Sequence, residues 1–522
     1  MFMKSKLTFF VLLLPLFIYA QKQVKVDWPS LANSPWPVLR GDMQGTGRSE
    51  YIGPRTCNVK WVKDEPRGVL LGPVIGYDEN LYFGEMAVNF HDTFNLFYAV
   101  DKNGNDLWTF KTQEYFSNMG GCVLGRDSTI YFHSANGYLY ALNKDGQLKW
   151  SVYTVQATRD ELFLDKAGNI YLPAFDTLRV ISPDGVMIKY YYPNIIRPLS
   201  FSIGGDTIFA ETGGKYMGYP GGTLDATDLK GNVYWSYKFG RIGWGIPMVD
   251  IQNNVYVFGS DTTNIYTSNY LYCIRPDGKL KWKYPMDFFN MHYCPTMDYN
   301  GNITFFSPYN ENGNLYAAIT SLDYNGKVRW IDTLDANDND LSHFLMEYGP
   351  VCDKEGKIYC GSDMYGGAFY CIDSNGVILW KNIFPNEYDS CPAIAPDGTM
   401  YIGLQYGDFD FGQIQTLYAI KDTLTDVKDE KVETVKDYQL FQNYPDPFNP
   451  STTIKYSLPK AWNVKLTVYN ILGSKVATIV DGYKMAGNYS VRFDALGLSS
   501  GIYFYELNTG NFRDIKKMVI LK

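Results

Sequence analysis

One motif recurs along the chain and decides the fold: YLYALNKDGQLKW at 138–150, YLYCIRPDGKLKW at 270–282 and FYCIDSNGVILW at 369–380. Each copy has an apolar run, a turn that ends in Gly, and a second run with Trp four residues after that Gly. The Gly suits the positive φ of a tight hairpin turn, and we expect the Trp to cap the neighbouring repeat. Short alternating strands separated by frequent turns predict an all-β protein and exclude a helical solenoid.

The spacing of this motif predicts the architecture. The four-residue step joins Gly104 to Trp108, Gly146 to Trp150, Gly231 to Trp235, Gly278 to Trp282, Gly326 to Trp330 and Gly376 to Trp380, whereas Lys189 follows Gly185. With Trp61, the anchor positions are 61, 108, 150, 189, 235, 282, 330 and 380, so the steps run from 39 to 50 residues. That is the size of a four-stranded propeller blade.

The two ends of the repeat array are incomplete. Trp61, in NVKWV, has no three strands before it, and the last strands, TMYIG at 399–403 and TLYAI at 416–420, have no Trp strand after them. A ring in which the strand of Trp61 completes the last blade leaves no free edge. We therefore predict an eight-bladed β-propeller over 55–422, preceded by an N-terminal extension at 21–54.

The repeat resembles that of a known group of propellers. Its LYAxDxxGxxxW pattern is similar to the repeat of the quinoprotein (pyrroloquinoline-quinone, PQQ) alcohol dehydrogenases and of the propeller lipoprotein that assists outer-membrane protein assembly. The stretch WPVLRGDMQGTGRS at 36–49 resembles the start of many secreted members. The resemblance implies eight blades with PQQ-like repeats, and it implies little about function.

The amino terminus has the pattern of a signal peptide at 1–20. Lys4 and Lys6 precede an apolar run at 7–18, which ends at Tyr19-Ala20. This run is too short to span a bilayer as a helix, so a cleaved signal is favoured over an uncleaved anchor. No later stretch is long and apolar enough to span, and we expect no transmembrane segment in the mature chain.

The carboxyl terminus predicts a second, smaller domain. A polar, charged stretch at 423–437 is typical of a linker, and 438–522 contains short alternating strands with turns between them. This pattern predicts a small Ig-like β-sandwich. Pro445, Pro447 and Pro450 lack amide donors, so their segment is not expected to form a central strand.

The same region resembles the type A C-terminal sorting domain of the type IX secretion system. The matching residues include QNYP at 442–445, PFNP at 447–450, YN at 469–470 and KKM at 516–518. The resemblance implies passage through the periplasm to the cell surface or the medium, with the secretion machinery as partner of 438–522. The alternative is an ordinary Ig-like binding module.

Charge and cysteine usage narrow the function classes. The net charge is −8, which argues against nucleic acid or an anionic membrane as the main partner. The eight Cys include no CxxC pair, so metal ligation by them is not favoured, and disulfides are permitted in an exported chain. Cys360 and Cys371 flank one loop and form either a disulfide or two buried thiols.

The sequence contains no convincing catalytic set. A quinoprotein dehydrogenase needs a sandwiched quinone, a Ca²⁺ and an Asp base, but no two Cys are adjacent here as in that family. Asp101, Asp145, Asp184, Asp277 and Asp397 lie in the repeat turns, which favours a turn-forming role. DANDND at 335–340 has the first ligands of a Ca²⁺ loop but lacks its Gly and Glu, so a solvated loop is favoured.

The histidines and serines likewise give no indication of a catalytic site. None of the four His lies in a spaced metal pair, and no Ser/His/Asp triad can be proposed. We predict no catalytic residue, cofactor or metal ligand. A non-catalytic binding or scaffolding propeller is favoured; the alternative is an enzyme on the same scaffold, a PQQ-dependent oxidoreductase or a glycan-active protein.

One face of the propeller is the predicted binding face. The turns between the first and second and between the third and fourth strands of a blade share one face and are short here, so they leave little room for a site. The loops of the opposite face are long and aromatic. Rigidly held aromatic loops suit recognition of an extracellular ligand, either a glycan or a protein. The candidate residues are Tyr216, Tyr219, Trp244, Phe288, Phe289, His292, Phe409 and Phe411, with Asp408 and Asp410 as polar partners. The alternative is that these rings pack the loops onto the ring.

Overall fold

The structure is a computed structural model that divides into two compact units, Met1–Thr423 and Leu424–Lys522. The predicted signal peptide at 1–20 and linker at 423–437 lie outside the described residues. The structure describes residues 21–65, 72–84, 96–112, 121–134, 137–154, 161–174, 177–191, 195–212, 221–243, 245–263, 268–287, 294–307, 309–311, 314–334, 349–361, 368–384, 391–406, 414–422, 438–459, 462–484, 487–495, 497–510 and 512–521.

The first unit is built from antiparallel sheets of four or five strands, each formed mainly by consecutive strands. Sheet 1 contains β2 (Val74–Ile75), β3 (Leu81–Gly84), β4 (Leu96–Val100) and β5 (Asp106–Lys111). Sheet 2 contains β6 (Val123–Leu124), β7 (Ile130–His133), β8 (Tyr138–Leu142) and β9 (Leu148–Tyr153). Sheet 3 contains β10 (Phe163–Leu164), β11 (Ile170–Ala174), β12 (Thr177–Ile181) and β13 (Met187–Tyr191). Sheet 4 contains β14 (Ile195–Phe201), β15 (Thr207–Thr212), β16 (Thr223–Asp228) and β17 (Val233–Lys238).

The other sheets of this unit follow the same plan. Sheet 5 contains β18 (Arg241–Ile242), β19 (Met248–Val249), β20 (Val255–Ser260), β21 (Asn269–Ile274) and β22 (Leu280–Met286). Sheet 6 contains β23 (Thr296–Met297), β24 (Ile303–Phe306), β27 (Ala318–Leu322) and β28 (Val328–Thr333), with β25 (Tyr309–Glu311) and β26 (Asn314–Tyr316) as a separate hairpin. Sheet 7 contains β29 (Val351–Cys352), β30 (Ile358–Gly361), β31 (Ala368–Ile372) and β32 (Ile378–Ile383). Sheet 8 contains β33 (Ala393–Ile394), β34 (Met400–Tyr406), β35 (Ile414–Ile420) and β1 (Val59–Glu65).

Burial distinguishes the inner and outer strands of a sheet. In sheet 1, both residues of β2 are buried, whereas β5 alternates between exposed and half-buried positions. The first strands therefore face the centre of the unit, and the fourth strands face outward. These repeated sheets confirm the predicted all-β propeller fold, and the described residues of the first unit form eight such sheets. The eight-bladed ring stays a prediction.

The recurring four-residue spacing between Gly and Trp in this chain has a direct structural cause. The turn Gly residues adopt positive φ, for example 80° at Gly146, and a Cβ there would lie 2.5 Å from Cδ2 of Trp108 in the preceding sheet. The same Trp donates a hydrogen bond from Nε1 to the carbonyl oxygen of Lys144, at 2.9 Å. The predicted capping of the neighbouring repeat by Trp is confirmed.

Small residues make room for each indole. Across the third and fourth strands of seven sheets of the first unit, a Trp lies opposite Ala, Cys or Ser. The pairs are Trp108/Ala99, Trp150/Ala141, Trp235/Ala226, Trp282/Cys273, Trp330/Ser321, Trp380/Cys371 and Trp61/Ala419. In sheet 3, Lys189 stands in this place opposite Val180 and donates to the Lys230 carbonyl at 2.6 Å.

The first strand of the chain completes the last sheet. β1 pairs antiparallel with β35, from Val59 opposite Ile420 to Glu65 opposite Gln415. The carboxylate of Asp422 then accepts backbone N–H bonds from Arg55 at 2.9 Å and Thr56 at 2.8 Å. The predicted completion of the last blade by the strand of Trp61 is confirmed, and this sheet has no free outer edge at β35.

The second unit contains two antiparallel sheets packed on one apolar core. One sheet has the order β36 (Gln439–Leu440), β37 (Ser451–Leu458), β40 (Gly487–Asp494). The other has the order β39 (Lys475–Lys484), β38 (Trp462–Asn470), β41 (Gly501–Asn508), β42 (Arg513–Ile520). Ile454 and Leu466, one from each sheet, are both fully buried. The Ig-like class of this unit stays a prediction.

The proline-rich segment before β37 is held by hydrogen bonds rather than by central strand pairing. Asn443 donates from Nδ2 to the Pro445 carbonyl at 3.1 Å and to the Thr452 hydroxyl at 3.0 Å. The Tyr505 hydroxyl donates to the Phe441 carbonyl at 2.8 Å. Side-chain donors thus satisfy carbonyl oxygens of this segment, which the amide-free prolines keep from pairing as a central strand.

The structure excludes one of the two alternatives for Cys360 and Cys371, the disulfide. Cys360 lies opposite Tyr370, and Cys371 lies opposite Tyr359, so the two Cys point to opposite faces of sheet 7. Both thiols are free and buried. A Cys360–Cys371 disulfide is therefore wrong, because the strand register sets their side chains apart.

Candidate functional site

The N-terminal segment, which we define as residues 21–54, fills the centre of the propeller unit on one face. Its backbone carbonyls accept N–H bonds from the inner strand of one sheet after another. The pairs are Trp36/Ile75, Pro37/Leu124, Met43/Phe201, Gln44/Val249, Thr46/Met297 and Gly47/Cys352, at 2.8–3.2 Å. These partners belong to sheets 1, 2, 4, 5, 6 and 7 in that order, so the segment circles the central axis.

Arg40 is the buried hub of this segment. Its side chain is fully buried, and its guanidinium donates to the Pro350 carbonyl at 3.0 Å and to the Pro295 carbonyl. These two carbonyls precede the inner strands of sheets 7 and 6. Burial raises the pKa of the nearby Cys391 thiol, although Arg40 acts in the opposite direction. The cation thus stabilises backbone carbonyls at the axis, and the thiol stays protonated.

The segment lies on the face of the short turns. Ser30 donates from its hydroxyl to the Asp165 carbonyl in the β10–β11 turn, and the backbone of Arg126 in the β6–β7 turn donates to the Ser30 carbonyl. We call this the short-turn face, and the opposite one the long-loop face. The axial position on the short-turn face is therefore occupied by the chain itself.

None of the predicted binding-face residues belongs to the described part of the chain. Tyr216, Tyr219, Trp244, Phe288, Phe289, His292, Asp408, Phe409, Asp410 and Phe411 all lie outside the described residues. The DANDND loop at 335–340 also lies outside them. The described part of the predicted binding face consists of the strand ends that lead into those loops.

One cleft of about 280 Å³ lies at such strand ends, between sheets 5 and 6. We call it the hydroxyl cleft, because Tyr284, Ser307, Thr320 and Thr333 line it beside Asp287. Tyr284 lies in β22, near its end, and Asp287 directly follows β22; Ser307 directly follows β24, and Thr333 ends β28. Asp287 directly precedes 288–293, where sequence reasoning places three candidate residues.

The hydroxyl cleft combines protonated hydroxyl groups with one carboxylate. The hydroxyls of Ser307 and Thr320 hydrogen-bond to each other and are both nearly buried. Burial raises the pKa of Tyr284 and the Asp287 carboxylate adds to this rise, whereas a hydrogen bond with the Thr320 side chain opposes it. The phenol is therefore protonated at neutral pH and shares a hydrogen bond with Thr320.

The repeat carboxylates are occupied by their own turns. Asp101 accepts backbone N–H bonds from Asn103 and Asn105 at 2.8 and 2.9 Å, and Asp277 accepts one from Lys279 at 3.2 Å. The turn-forming role is confirmed for Asp101, Asp277 and Asp397. In the turns of Asp145 and Asp184, the side chains of Asn143 and Ser182 accept the backbone N–H bonds instead. In the described part of the chain, no group of three or more His, Cys, Asp or Glu side chains is placed to hold a metal ion.

Sequence reasoning missed a second cleft, on the short-turn face. It has a volume of about 350 Å³ and is lined by the N-terminal segment and Arg126. The expectation that short turns leave little room is wrong for this part of the face, because the segment itself builds the walls. The sequence did indicate that this segment bends sharply, since it contains Gly41, Gly45 and Gly47. All three adopt positive φ in the structure.

The comparisons with known proteins bear on the two units differently. Residues 442–521 match the family model described as the secretion system C-terminal sorting domain, which confirms the predicted sorting domain. The described residues include no helix of sufficient length and hydrophobicity to cross a membrane. No curated protein matches the sequence. The chain is thus a β-propeller protein with a type IX sorting domain, exported to the cell surface or the medium.

The propeller is similar to several solved structures at low identity. BamB from Moraxella catarrhalis shares 12% identity, with 70% of this chain and 100% of that chain covered and a TM-score of 0.48. The Dos1 propeller shares 11% identity, with 70% and 96% covered and a TM-score of 0.48. A gluconolactonase from Xanthomonas campestris shares 10% identity, with 70% and 97% covered and a TM-score of 0.31. Similarities of this size do not bear on function.

Proposed function

We propose that this exported propeller is a non-catalytic binding protein that recognises an extracellular glycan or protein through its long-loop face. The hydroxyl cleft carries the proposal. It combines an aromatic wall, neutral hydroxyls and one carboxylate at strand ends that a rigid sheet holds in place. Such groups hydrogen-bond sugar hydroxyls or peptide amides equally well.

The blocked axis on the other face supports the same choice. Carbonyls of the N-terminal segment are bonded to the inner strands of six sheets, so a ligand cannot enter there along the axis without displacing the segment. In the sequence, Phe288 and Phe289 directly follow Asp287 of the hydroxyl cleft. Tyr219, Phe289 and Phe409 are the residues that we expect to contribute contact area.

A ligand screen followed by point variants tests the proposal. The mature chain is screened on a glycan array and by pull-down from the extracellular medium and cell envelope of its host. Tyr284→Phe removes one hydroxyl of the cleft and is expected to weaken binding of the captured ligand about 3- to 10-fold. Tyr234→Phe, at an exposed position on the outer strand β17, is the matched control.

The loop residues and the enzyme alternative are tested in parallel. Alanine at Tyr219, Phe289 or Phe409 is expected to weaken binding without lowering the melting temperature. Unchanged affinity in Tyr284→Phe and in all three loop variants would refute the proposed face. Dye-linked dehydrogenase activity after incubation with pyrroloquinoline quinone and Ca²⁺ would refute the non-catalytic role.

A further inference from the structure

The hydroxyl cleft carries charge of one sign only. Its described lining consists of 284–287, Ser307, Thr320, Ile331 and Thr333. Asp287 is the only charged side chain among these residues, because they include no Lys, Arg or His. The described lining is therefore negatively charged.

The accessible polar groups of the hydroxyl cleft are mainly hydrogen-bond acceptors. Asp287 and Thr333 are exposed and Tyr284 is half-buried, so all three can contact a ligand. A carboxylate only accepts hydrogen bonds, and each hydroxyl has two lone pairs but a single proton. Ammonium and guanidinium groups, which only donate, match such a lining.

The phenol of Tyr284 is held in place by its neighbours. It shares a hydrogen bond with the Thr320 hydroxyl, which in turn is bonded to Ser307. Both of these residues are nearly buried. The ring of Tyr284 packs edge-on against Phe305, with ring centroids 5.7 Å apart. The buried hydroxyls thus orient the aromatic wall, and the exposed groups of the cleft are the ones that meet the ligand.

Apolar surface in the same lining distinguishes between cationic ligands. Ile331 is 51% exposed, Pro285 is exposed and Met286 is nearly buried. Lys and Arg carry their charge at the end of an apolar stem, which packs on surface of this kind. An amino sugar carries its ammonium directly on the ring and has no such stem. The volume of about 280 Å³ lies just below that of drug-sized sites, roughly 300–1,000 Å³, so the cleft accommodates one side chain.

The sequence around the cleft is rich in carboxylates. Residues 284–326 and 330–353, which include the whole described lining, contain no Lys or Arg. They contain ten Asp and Glu residues, of which Asp298, Asp323 and Asp353 lie in the short turns. Clefts lined by one sign of charge attract ligands of the opposite sign and speed their association.

The basic side chains of β22 and β28 contact other groups of the protein. Lys281 lies over the ring of Tyr324, 3.8 Å from its centroid, and Lys283 forms an ion pair with Asp261. Arg329 donates to a backbone carbonyl of sheet 7 at 2.9 Å. None of these three cations belongs to the described lining.

We infer that the hydroxyl cleft receives a basic side chain, Lys or Arg, of an extracellular protein partner. The cationic head pairs with Asp287 and donates to the hydroxyls of Tyr284 and Thr333, while its stem packs on Ile331 and Pro285. This inference rests on the function proposed above and narrows the ligand of the long-loop face to a basic segment of a protein.

Binding is tested on the mature chain with synthetic peptides. An acetylated and amidated Gly-Ser peptide with a central Lys pair is compared with the same peptide carrying norleucine, which keeps an apolar stem but lacks the charge. Fluorescence anisotropy is measured at low and high salt. We expect the Lys peptide to bind about 10-fold more tightly or better, and we expect salt to reduce this difference. Equal affinities, or no binding of the Lys peptide, would overturn the inference.

Substitutions place the peptide in the cleft. Asp287→Asn keeps the shape of the side chain but removes its charge, and should weaken binding of the Lys peptide about 10-fold. Tyr284→Phe should weaken it about 3- to 10-fold. Asp145→Asn makes the same change of net charge on an exposed turn of sheet 2 and is expected to leave the affinity unchanged. Equal losses in Asp287→Asn and Asp145→Asn would overturn the inference, because they would show attraction to the net charge alone.

Sugars separate this inference from the function on which it rests. A neutral glycan whose binding falls in Tyr284→Phe but not in Asp287→Asn would overturn the basic side chain and leave the long-loop face in place. Tighter binding of glucosamine oligomers than of the Lys peptide would do the same. If neither substitution affects any ligand of the mature chain, the face and the inference are refuted together.

Discussion

The indole Nε1 of Trp61 donates a hydrogen bond to the carbonyl oxygen of Lys102, 3.0 Å away. Trp61 lies in β1, the outer strand of sheet 8, and Lys102 lies in the β4–β5 turn of sheet 1. In five other sheets a Trp makes the same bond to the sheet that follows in the chain, as in Trp108 to Lys144. The exceptions are sheet 3, where Lys189 takes the place of Trp, and sheet 7, where Trp380 donates to the Pro54 carbonyl. The Trp61–Lys102 bond therefore joins the last sheet to the first.

Loss of this contact is expected to weaken the closed ring. Trp61→Ala removes a half-buried ring that packs on Gly104 together with its hydrogen bond, and should lower the free energy of unfolding by about 2–4 kcal/mol. Trp61→Phe keeps a ring but loses the N–H, and should cost about 1 kcal/mol. Urea unfolding followed by circular dichroism measures both, and an unchanged midpoint for the Ala variant would contradict a role in closure.

The turn glycines are expected to tolerate no side chain. Gly146→Ala places a Cβ 2.5 Å from Trp108 at a φ of 80°, and should destabilise the propeller by about 3 kcal/mol or more. Gly221→Ala is the matched control, because Gly221 also has positive φ but has no atom within 4 Å of the added Cβ. It should cost only about 1–2 kcal/mol. Equal losses in the two variants would mean that the indole contact is unimportant.

Arg40 is expected to be essential for the central packing. Arg40→Met leaves the Pro295 and Pro350 carbonyls without their donor, and should lower the free energy of unfolding by about 3–5 kcal/mol. Arg55→Met, which removes an exposed ion pair with Glu355, should change it by less than about 1 kcal/mol. A melting temperature for Arg40→Met equal to that of Arg55→Met would show that the buried cation is dispensable.

The ion pair of Asp397 and Lys421 predicts a pH dependence of stability. Burial opposes ionisation of Asp397, but hydrogen bonds from Lys421 and Thr399 outweigh it and lower its pKa to about 2. Because the folded pKa lies below the unfolded value of about 3.9, the stabilisation is complete above the unfolded value and is lost as the pH falls towards 2.

Asp397→Asn tests this dependence. It should destabilise the protein by up to about 1 kcal/mol at pH 6, and the difference from wild type should shrink between about pH 4 and pH 2. Asp145→Asn, whose carboxylate lies 3.9 Å from Lys144 on an exposed turn, is the control. A destabilisation that does not depend on pH would contradict the assignment.

Export is expected to depend on the second unit. A chain that ends at 437 lacks the segment matched by the sorting-domain family, and should accumulate in the periplasm of the native host. Fractionation with a periplasmic marker measures its location. A truncated chain found at the surface or in the medium would show that another segment directs export.

The repeat could be predicted from the sequence because it depends on local conformational preferences. A positive φ at Gly146 and a Trp four residues later are properties of a single hairpin. The same spacing recurs along the chain because each Trp packs on the turn Gly of the next sheet. Closure by Trp61 followed from counting strands, since an incomplete first repeat and an incomplete last repeat can only complete each other. The sorting domain was predicted in another way, from the resemblance of motifs such as QNYP and PFNP to those of a known family. The structure shows that Asn443 of the first motif has its hydrogen-bond partners within the same small unit.

Only the tertiary structure showed what the N-terminal segment does. The segment 36–49 has no repeat and no regular strand, and its hydrogen bonds go to residues that are distant in sequence, such as Arg40 to Pro350. Nothing in the sequence near Arg40 indicates that it is buried, and nothing near Ser34 indicates that its hydroxyl oxygen is buried without a hydrogen-bond partner. The sequence pattern determined those strands and turns whose contacts lie within one hairpin or between equivalent hairpins. The cleft on the short-turn face was decided by the tertiary structure alone, because its walls come from one irregular segment and from a turn that is distant in sequence.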